Sequence, residues 1–134
     1  MKMEVKHLGG LKFEVQARDQ TFTVDLPADS GGTNQGPTPP ELFCASLATC
    51  SGVYIADYCE RVGLPYQGMK ISVEWALLDK PKRISAVAIK VDMPENLPEP
   101  RRKAVYRAAE QCMVRNSIVN PVETILGITY PDER

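Results

Sequence analysis

The sequence predicts an α+β protein with an antiparallel sheet, in the element order βββ-α-ββ-α-β. Two observations carry this prediction. Segments that alternate apolar and polar residues occur in pairs separated by short turn sequences, which is typical of β-hairpins. Two segments with helical spacing follow these hairpins instead of alternating with single strands, which favours antiparallel over parallel pairing.

The first part of the chain predicts a three-stranded meander. Residues 1–8 and 11–17 alternate apolar and polar side chains on either side of Gly9-Gly10, so one face of this hairpin is expected to be dry. Residues 21–26 continue the alternation after a turn. Residues 27–37 are rich in Gly, Pro, Asn and Ser, and they predict a loop that leads into a helix.

The segment 38–63 predicts one long helix with clear ends. Thr38 is a good N-cap, Pro39 suits the first helical position, and Glu41 completes a capping box. Gly63 is a typical helix stop. Residues 42–56 carry no charge and have small side chains on every face, so the helix is expected to be buried nearly all round. A chain of this size has too few elements to cover such a helix, which predicts an obligate homodimer with sheet strands from both chains.

The second part of the chain predicts a long hairpin, a second helix and a closing strand. Residues 69–78 and 83–93 alternate on either side of a turn. Residues 97–113 carry apolar side chains at spacings of three and four, which predicts an amphipathic helix ending near Cys112. Residues 121–130 predict the last strand.

Composition and charge exclude several classes of protein. The chain of 134 residues is expected to form one domain, 1–134, with a core that needs no disulfide. Sixteen basic and seventeen acidic residues, without a charged run, give no sign of a nucleic-acid or membrane partner. The central helix is taken as too short and too rich in small polar side chains to span a bilayer. A soluble cytoplasmic protein without metal or cofactor is expected, since a single histidine and no C-x-x-C motif leave no usual zinc site.

Helix geometry limits the pairing of the four cysteines. Cys44, Cys50 and Cys59 lie on the central helix with separations of six and nine residues, about 9 Å and 13 Å of rise. No two of these three can form a disulfide, so Cys112 is the one partner available within the chain. The residues alone leave open whether any cysteine does more than pack in a core.

These features together resemble the OsmC/Ohr family of osmotically induced and organic hydroperoxide resistance proteins. The resemblance lies in the loop and cap segments GG…GPTP…EL (31–42), in ATC (48–50), and in AEQC (109–112) followed by Val114 and Asn116. The element order matches as well, so the resemblance covers almost the whole chain.

The resemblance implies an intertwined homodimer and a thiol-dependent reduction of hydroperoxides. It implies that Cys50 is the peroxidatic thiol and that Cys112 is the resolving thiol. A peroxidatic thiolate is converted to a sulfenic acid, which the second thiol condenses to a disulfide. A small hydroperoxide substrate and an external dithiol reductant are therefore the expected partners. Core packing is expected for Cys44 and Cys59.

The chain departs from the family at two positions. Typical peroxidase members use an Arg in the early hairpin and a Glu near the start of the long helix, and the corresponding residues here are Leu11 and Pro40. Arg18, Lys12 and Arg115 are therefore the candidates for stabilising a thiolate. Without such a cation, Cys50 is expected to react slowly at pH 7 and faster towards pH 9.

Two other functions are compatible with the sequence. The first is a non-catalytic member of the same fold that binds a small apolar ligand and uses its cysteines only for packing. The second is a hot-dog thioesterase, a fold that also wraps a sheet around a long helix. No acid is well placed on the central helix for that chemistry.

Overall fold

A computed structural model describes residues 1–134 and contains five strands and three α-helices. In chain order they are β1 (Glu4–Gly9), β2 (Lys12–Ala17), β3 (Gln20–Val24), α1 (Pro39–Val62), β4 (Lys70–Asp79), β5 (Lys82–Asp92), α2 (Glu99–Glu110) and α3 (Met113–Val119). The α+β class and the antiparallel pairing predicted from the sequence are confirmed.

The strands form two separate antiparallel sheets. The first is the meander β1-β2-β3, and the second is the hairpin β4-β5. The expected dry face of the first sheet is wrong for the single chain, because every residue of β1 is exposed and only Val15 and Val24 of the sheet are buried. No single sheet wraps around α1, so the hot-dog alternative receives no support from the topology.

Helix α1 begins and ends as the sequence predicts. The Thr38 hydroxyl accepts a hydrogen bond from the Glu41 N–H at 3.3 Å, and the Glu41 carboxylate accepts one from the Thr38 N–H at 3.1 Å. Gly63 closes the helix in the left-handed region, with φ of 74°. This conformation is strained for any residue with a Cβ, so glycine is the natural stop.

The burial of α1 differs from the expectation. Its buried residues recur at spacings of three and four and define one face of the helix: Cys44, Leu47, Ala48, Ser51, Gly52, Ile55 and Cys59. The opposite face is open in the single chain, where Phe43 and Val53 are exposed. Side chains of one chain therefore cover half of the helix.

Helix α1 is also long and apolar enough to span a membrane, contrary to the expectation from the sequence. The core helix of a soluble protein can have the same length and composition. Here α1 packs against β4, β5, α2 and α3. Ile55 and Cys59 of α1 join Leu97 and Val105 in a buried apolar cluster, so α1 is the central packing element of this chain.

The end of the chain departs from the predicted order. The second helix is split, because α2 ends at Glu110 and a short α3 begins at Met113. The strand predicted over 121–130 is absent: this segment has no regular structure and all its residues are exposed. Its alternating apolar side chains find no partner strand within the chain.

Candidate active site

The loop that leads into α1 is fixed by a buried carboxylate. Asp25, which follows β3, is only 1% exposed. Its Oδ1 accepts a hydrogen bond from the N–H of Leu26, and its Oδ2 accepts from the N–H and hydroxyl of Thr33 and from the N–H of Gln35. The Thr33 hydroxyl is the main reason that the pKa of Asp25 falls from 3.8 to about 2. Sequence reasoning did not select Asp25.

Two glycines let this loop pass close to the preceding strand. A Cβ on Gly32 would collide with the carbonyl of Leu26, and a Cβ on Gly36 would collide with the carbonyl of Thr23. Only glycine fits such an approach to backbone atoms. The loop therefore holds the residues that lead into α1 next to the first sheet.

The structure brings Cys50 and Cys112 together. Cys50 lies in the middle of α1 and is half-buried, whereas Cys112 is completely buried between α2 and α3. The Cys50 thiol is one of the groups that lower the pKa of Cys112, and both thiols are free. The Cys112 thiol also donates a weak hydrogen bond to the carbonyl of Leu47, one turn of α1 before Ser51, at 3.8 Å.

Hydrogen-bond donors surround the sulfur of Cys112. Cys112 is the N-cap of α3, and its Sγ accepts the N–H of Arg115 at 3.3 Å. Burial by itself raises the pKa of this thiol, but the donors outweigh burial and the pKa is lowered. The donors, in order of effect, are the N–H of Arg115, the thiol of Cys50, the hydroxyl of Ser51 and the N–H of Val114. Cys112 is thus the cysteine whose environment favours the thiolate.

The other two cysteines lie in apolar surroundings. Cys44 and Cys59 are buried, and burial raises the pKa of both thiols. Cys59 belongs to the apolar cluster around Ile55. These environments favour the neutral thiol, as in a packing cysteine.

None of the three predicted cations contacts a thiol through its side chain. The Lys12 Nζ donates to the Gln35 side chain at 3.0 Å. Arg18 lies at the exposed turn between β2 and β3, with φ of 58°. Arg115 is beside the pair, but it binds Cys112 through its backbone N–H. No group of three or more His, Cys, Asp or Glu side chains is placed to hold a metal ion.

An apolar groove of about 1190 Å³ lies next to the thiol pair. It is lined by α1, β5, α2, α3 and the segment between β5 and α2, with Leu47 and Ser51 on the α1 side. Basic and acidic side chains are both present among its mainly apolar lining: Lys90, Arg102, Arg115, Asp92, Glu95 and Glu110. Sequence reasoning did not select Ser51, although a hydroxyl directly after Cys50 in the uncharged part of the helix was a usable signal.

The fold and the site define an α+β protein with a thiol pair between its long central helix and a second helical segment. The family model for OsmC-like proteins matches residues 32–126, which include both thiols and all the residues that line the groove. The chain belongs to the OsmC-like protein family. Comparison with curated protein sequences gave no match.

Solved structures support the same fold. A Psychrobacter arcticus protein, whose name refers to osmotic stress and detoxification, is 24% identical with a TM-score of 0.81, covering 87% of each chain. The organic hydroperoxide resistance protein OsmC of Legionella pneumophila is 22% identical, with a TM-score of 0.65, covering 88% of this chain and 89% of that one. OhrB of Bacillus subtilis is 22% identical, with a TM-score of 0.60 and coverage of 87% and 88%. The fold is that of OsmC-like proteins.

Proposed function

We propose that this protein reduces organic hydroperoxides by means of Cys50 and Cys112, in the cytoplasm and as one domain spanning 1–134. The meeting of these two thiols beside an apolar groove is the observation that carries the proposal. Membership of the OsmC-like family supports it, as do the names of structural neighbours that refer to organic hydroperoxide resistance. Cys50 is the more exposed of the two and adjoins Ser51, which lines the groove. It is therefore assigned the first step.

The reaction balances with two thiols and one external reductant. The Cys50 thiolate attacks the distal oxygen of the hydroperoxide, the O–O bond breaks, and the alcohol leaves after taking a proton. Cys50 is then a sulfenic acid. The Cys112 sulfur attacks it, forming the S–S bond and releasing the hydroxyl as water. An external dithiol returns two electrons and two protons to the disulfide.

The experiment is peroxide consumption by cysteine variants. Cys50→Ser should abolish consumption of cumene hydroperoxide, and Cys112→Ser should stop after one turnover with a sulfenic acid that dimedone traps at Cys50. Cys44→Ala and Cys59→Ala are the matched controls and should stay active, with some loss of stability. Loss of activity in either control would contradict the assignment.

A ligand-binding function is the second candidate, and the size and apolar lining of the groove favour it. The two functions differ in thiol chemistry. One equivalent of cumene hydroperoxide should consume two thiols per chain if the protein is a reductase. Unchanged thiols would favour a binding protein.

A homodimer is part of the proposed function, because the single chain leaves apolar surfaces uncovered. Segment 121–130 has no strand partner, and its Ile125 and Leu126 are 89% and 91% exposed. One face of α1 and the strand β1 are open as well. Exposed apolar surface of this extent is typical of an interface. Light scattering should give a dimer at micromolar concentration, and a stable monomer would contradict it.

A further inference from the structure

Helix α3 begins at a cysteine whose sulfur makes two hydrogen bonds. Cys112 is the N-cap of α3, and its Sγ accepts the N–H of Arg115 at 3.3 Å. Ser, Thr, Asp or Asn usually provides the side-chain acceptor at this position. The same sulfur donates its hydrogen to the carbonyl of Leu47 on α1 at 3.8 Å. In its thiol form, Cys112 therefore supports α3 as an acceptor and binds α1 as a donor.

Helix α3 has little other support. It contains seven residues and none of them is buried. No salt bridge involves any of its side chains. The segment that follows, 121–130, has no regular structure. A helix of this length is not stable in isolation, so α3 depends on its cap and on its packing against α1.

Helix α3 is also a wall of the groove, which Arg115, Ile118 and Val119 line. We infer that the oxidation state of Cys50 and Cys112 controls this wall, because the thiol form of Cys112 supports α3 and a Cys50–Cys112 disulfide loosens it. The disulfide itself rests on the proposed function, whereas the response of α3 goes beyond it.

The loosening follows from the atoms that disulfide formation removes. The two thiols lose two electrons and two hydrogens, and the hydroperoxide takes them to become an alcohol and water. Without its hydrogen, the Cys112 sulfur cannot donate to the Leu47 carbonyl. A disulfide also sets the direction of both sulfurs, with a Cβ–S–S–Cβ angle of about 90°. The sulfur of Cys112 then follows Cys50 instead of the Arg115 N–H, and the first turn of α3 loses its cap.

The change comes at the step of the cycle that needs access to the thiol pair. Cys112 is completely buried in the dithiol form. Reduction of the disulfide requires that an external thiolate reaches one of its sulfurs. A loosened α3 opens the groove beside the disulfide, so the alcohol can leave and the dithiol reductant can enter. Reduction restores the cap and closes the wall.

The test is amide hydrogen exchange, followed by NMR, in the dithiol protein and after oxidation with diamide. Diamide takes two electrons and two hydrogens from a pair of thiols, so no peroxide is needed, and mass spectrometry of unreduced peptides identifies the linked cysteines. The N–H groups of Arg115 and Asn116 lie in the first turn of α3. They should exchange about fivefold or more faster in the disulfide form, because a helix cap is lost. The N–H of Leu64, bonded to the Cys59 carbonyl at 2.9 Å beyond α1, should be unchanged.

Three variants separate the cap from other effects of oxidation. Cys50→Ser is the matched control, because it keeps the Cys112 cap but cannot form the disulfide, so diamide should leave α3 unchanged. Cys112→Ala lacks the cap and should show the faster exchange of α3 even without oxidant. Cys112→Ser provides a usual N-cap and should keep exchange slow with or without diamide.

Several results would overturn the inference. They are a change of less than about twofold in α3 between the dithiol and disulfide forms, slow exchange in reduced Cys112→Ala, and equal acceleration by diamide in Cys50→Ser. If diamide does not link Cys50 to Cys112, the inference and the proposed function both fail. A protein that links them and loosens α3 but does not consume cumene hydroperoxide refutes the proposed function alone. One that consumes the peroxide with α3 unchanged refutes the inference alone.

Discussion

The hydroxyl of Thr33 donates a hydrogen bond to the carboxylate of Asp25, eight residues earlier in the chain. The same carboxylate oxygen accepts the N–H groups of Thr33 and Gln35, so one side chain closes the loop between β3 and α1. The Gln35 side chain in turn accepts from Lys12 of β2. The loop that leads into α1 is thus tied to the first sheet through Asp25.

Replacing Asp25 should destabilise the protein more than replacing another acid of the same loop. Asp25→Asn keeps the shape of the side chain but replaces one acceptor oxygen with an NH₂ donor. In either orientation this donor faces backbone N–H groups, that of Leu26 or those of Thr33 and Gln35. We expect a fall in melting temperature of roughly 5 °C or more. Asp29→Asn is the matched control, because exposed Asp29 binds only the Ser30 hydroxyl. Equal melting temperatures in the two variants would contradict this role.

The stability of the protein at acidic pH should depend on the ionisation of Asp25. Its pKa is lowered from 3.8 to about 2 in the folded state, chiefly by the Thr33 hydroxyl, so the folded state favours the carboxylate. That stabilisation is fully present above the unfolded pKa and is lost as pH falls from about 4 towards 2. The pKa of Glu41 is also lowered, but Glu41 is present in both the unaltered protein and Asp25→Asn, so it contributes equally to both. The urea midpoints of the unaltered protein and Asp25→Asn should therefore converge as pH falls from about 4 towards 2. A difference that stays constant down to the lowest pH would contradict this role of Asp25.

Gly32 and Gly36 should not tolerate a side chain, although neither adopts a positive φ. A Cβ at either position meets backbone carbonyl atoms, which cannot move aside as a flexible side chain can. Gly32→Ala and Gly36→Ala should each lower the free energy of unfolding by about 2 kcal/mol or more. Urea denaturation provides the measurement, and a neutral Gly32→Ala would show that the loop is looser than described.

Local signals in the sequence predicted much of the fold. The caps of α1 at Thr38 and Gly63 are properties of adjacent residues, and alternation is visible within a single strand, so both could be recognised without tertiary contacts. The prediction of a strand over 121–130 was wrong because a strand also depends on tertiary contacts. Alternation favours an extended backbone, but it does not supply the neighbouring strand that a sheet requires.

The candidate site was less accessible from the sequence. Helix geometry narrowed the partner of any helix cysteine to Cys112, but the donors to its sulfur come from a different helix and from backbone N–H groups. Asp25 was overlooked because its partners lie up to ten residues further along a loop without apolar pattern. Long-range hydrogen bonds of this kind leave no periodic trace.

Lys12 should have little influence on the thiols, although it stands next to the position of the family's Arg. Its Nζ is held by Gln35 at 3.0 Å and faces the loop. Lys12→Met should therefore leave the NMR titration midpoints of Cys50 and Cys112 within about 0.2 units of the unaltered protein. A larger rise in the Cys50 midpoint would show that Lys12 stabilises the Cys50 thiolate.

Gly52 and Ile71 should be energetically coupled, because the Ile71 side chain of β4 lies against Gly52 of α1. A Cβ on Gly52 would lie 2.7 Å from the Cδ1 of Ile71. An alanine inside a helix is otherwise favoured over glycine by about 1 kcal/mol, and Ile→Val costs about 1 kcal/mol where it leaves a gap. In Ile71→Val the Cδ1 is absent and the new Cβ can fill its space. The double variant should therefore be more stable than the sum of the single changes by at least about 0.5 kcal/mol. Urea denaturation of all four proteins at one concentration measures the coupling, and additivity within about 0.3 kcal/mol would show that helix and strand do not meet at this pair.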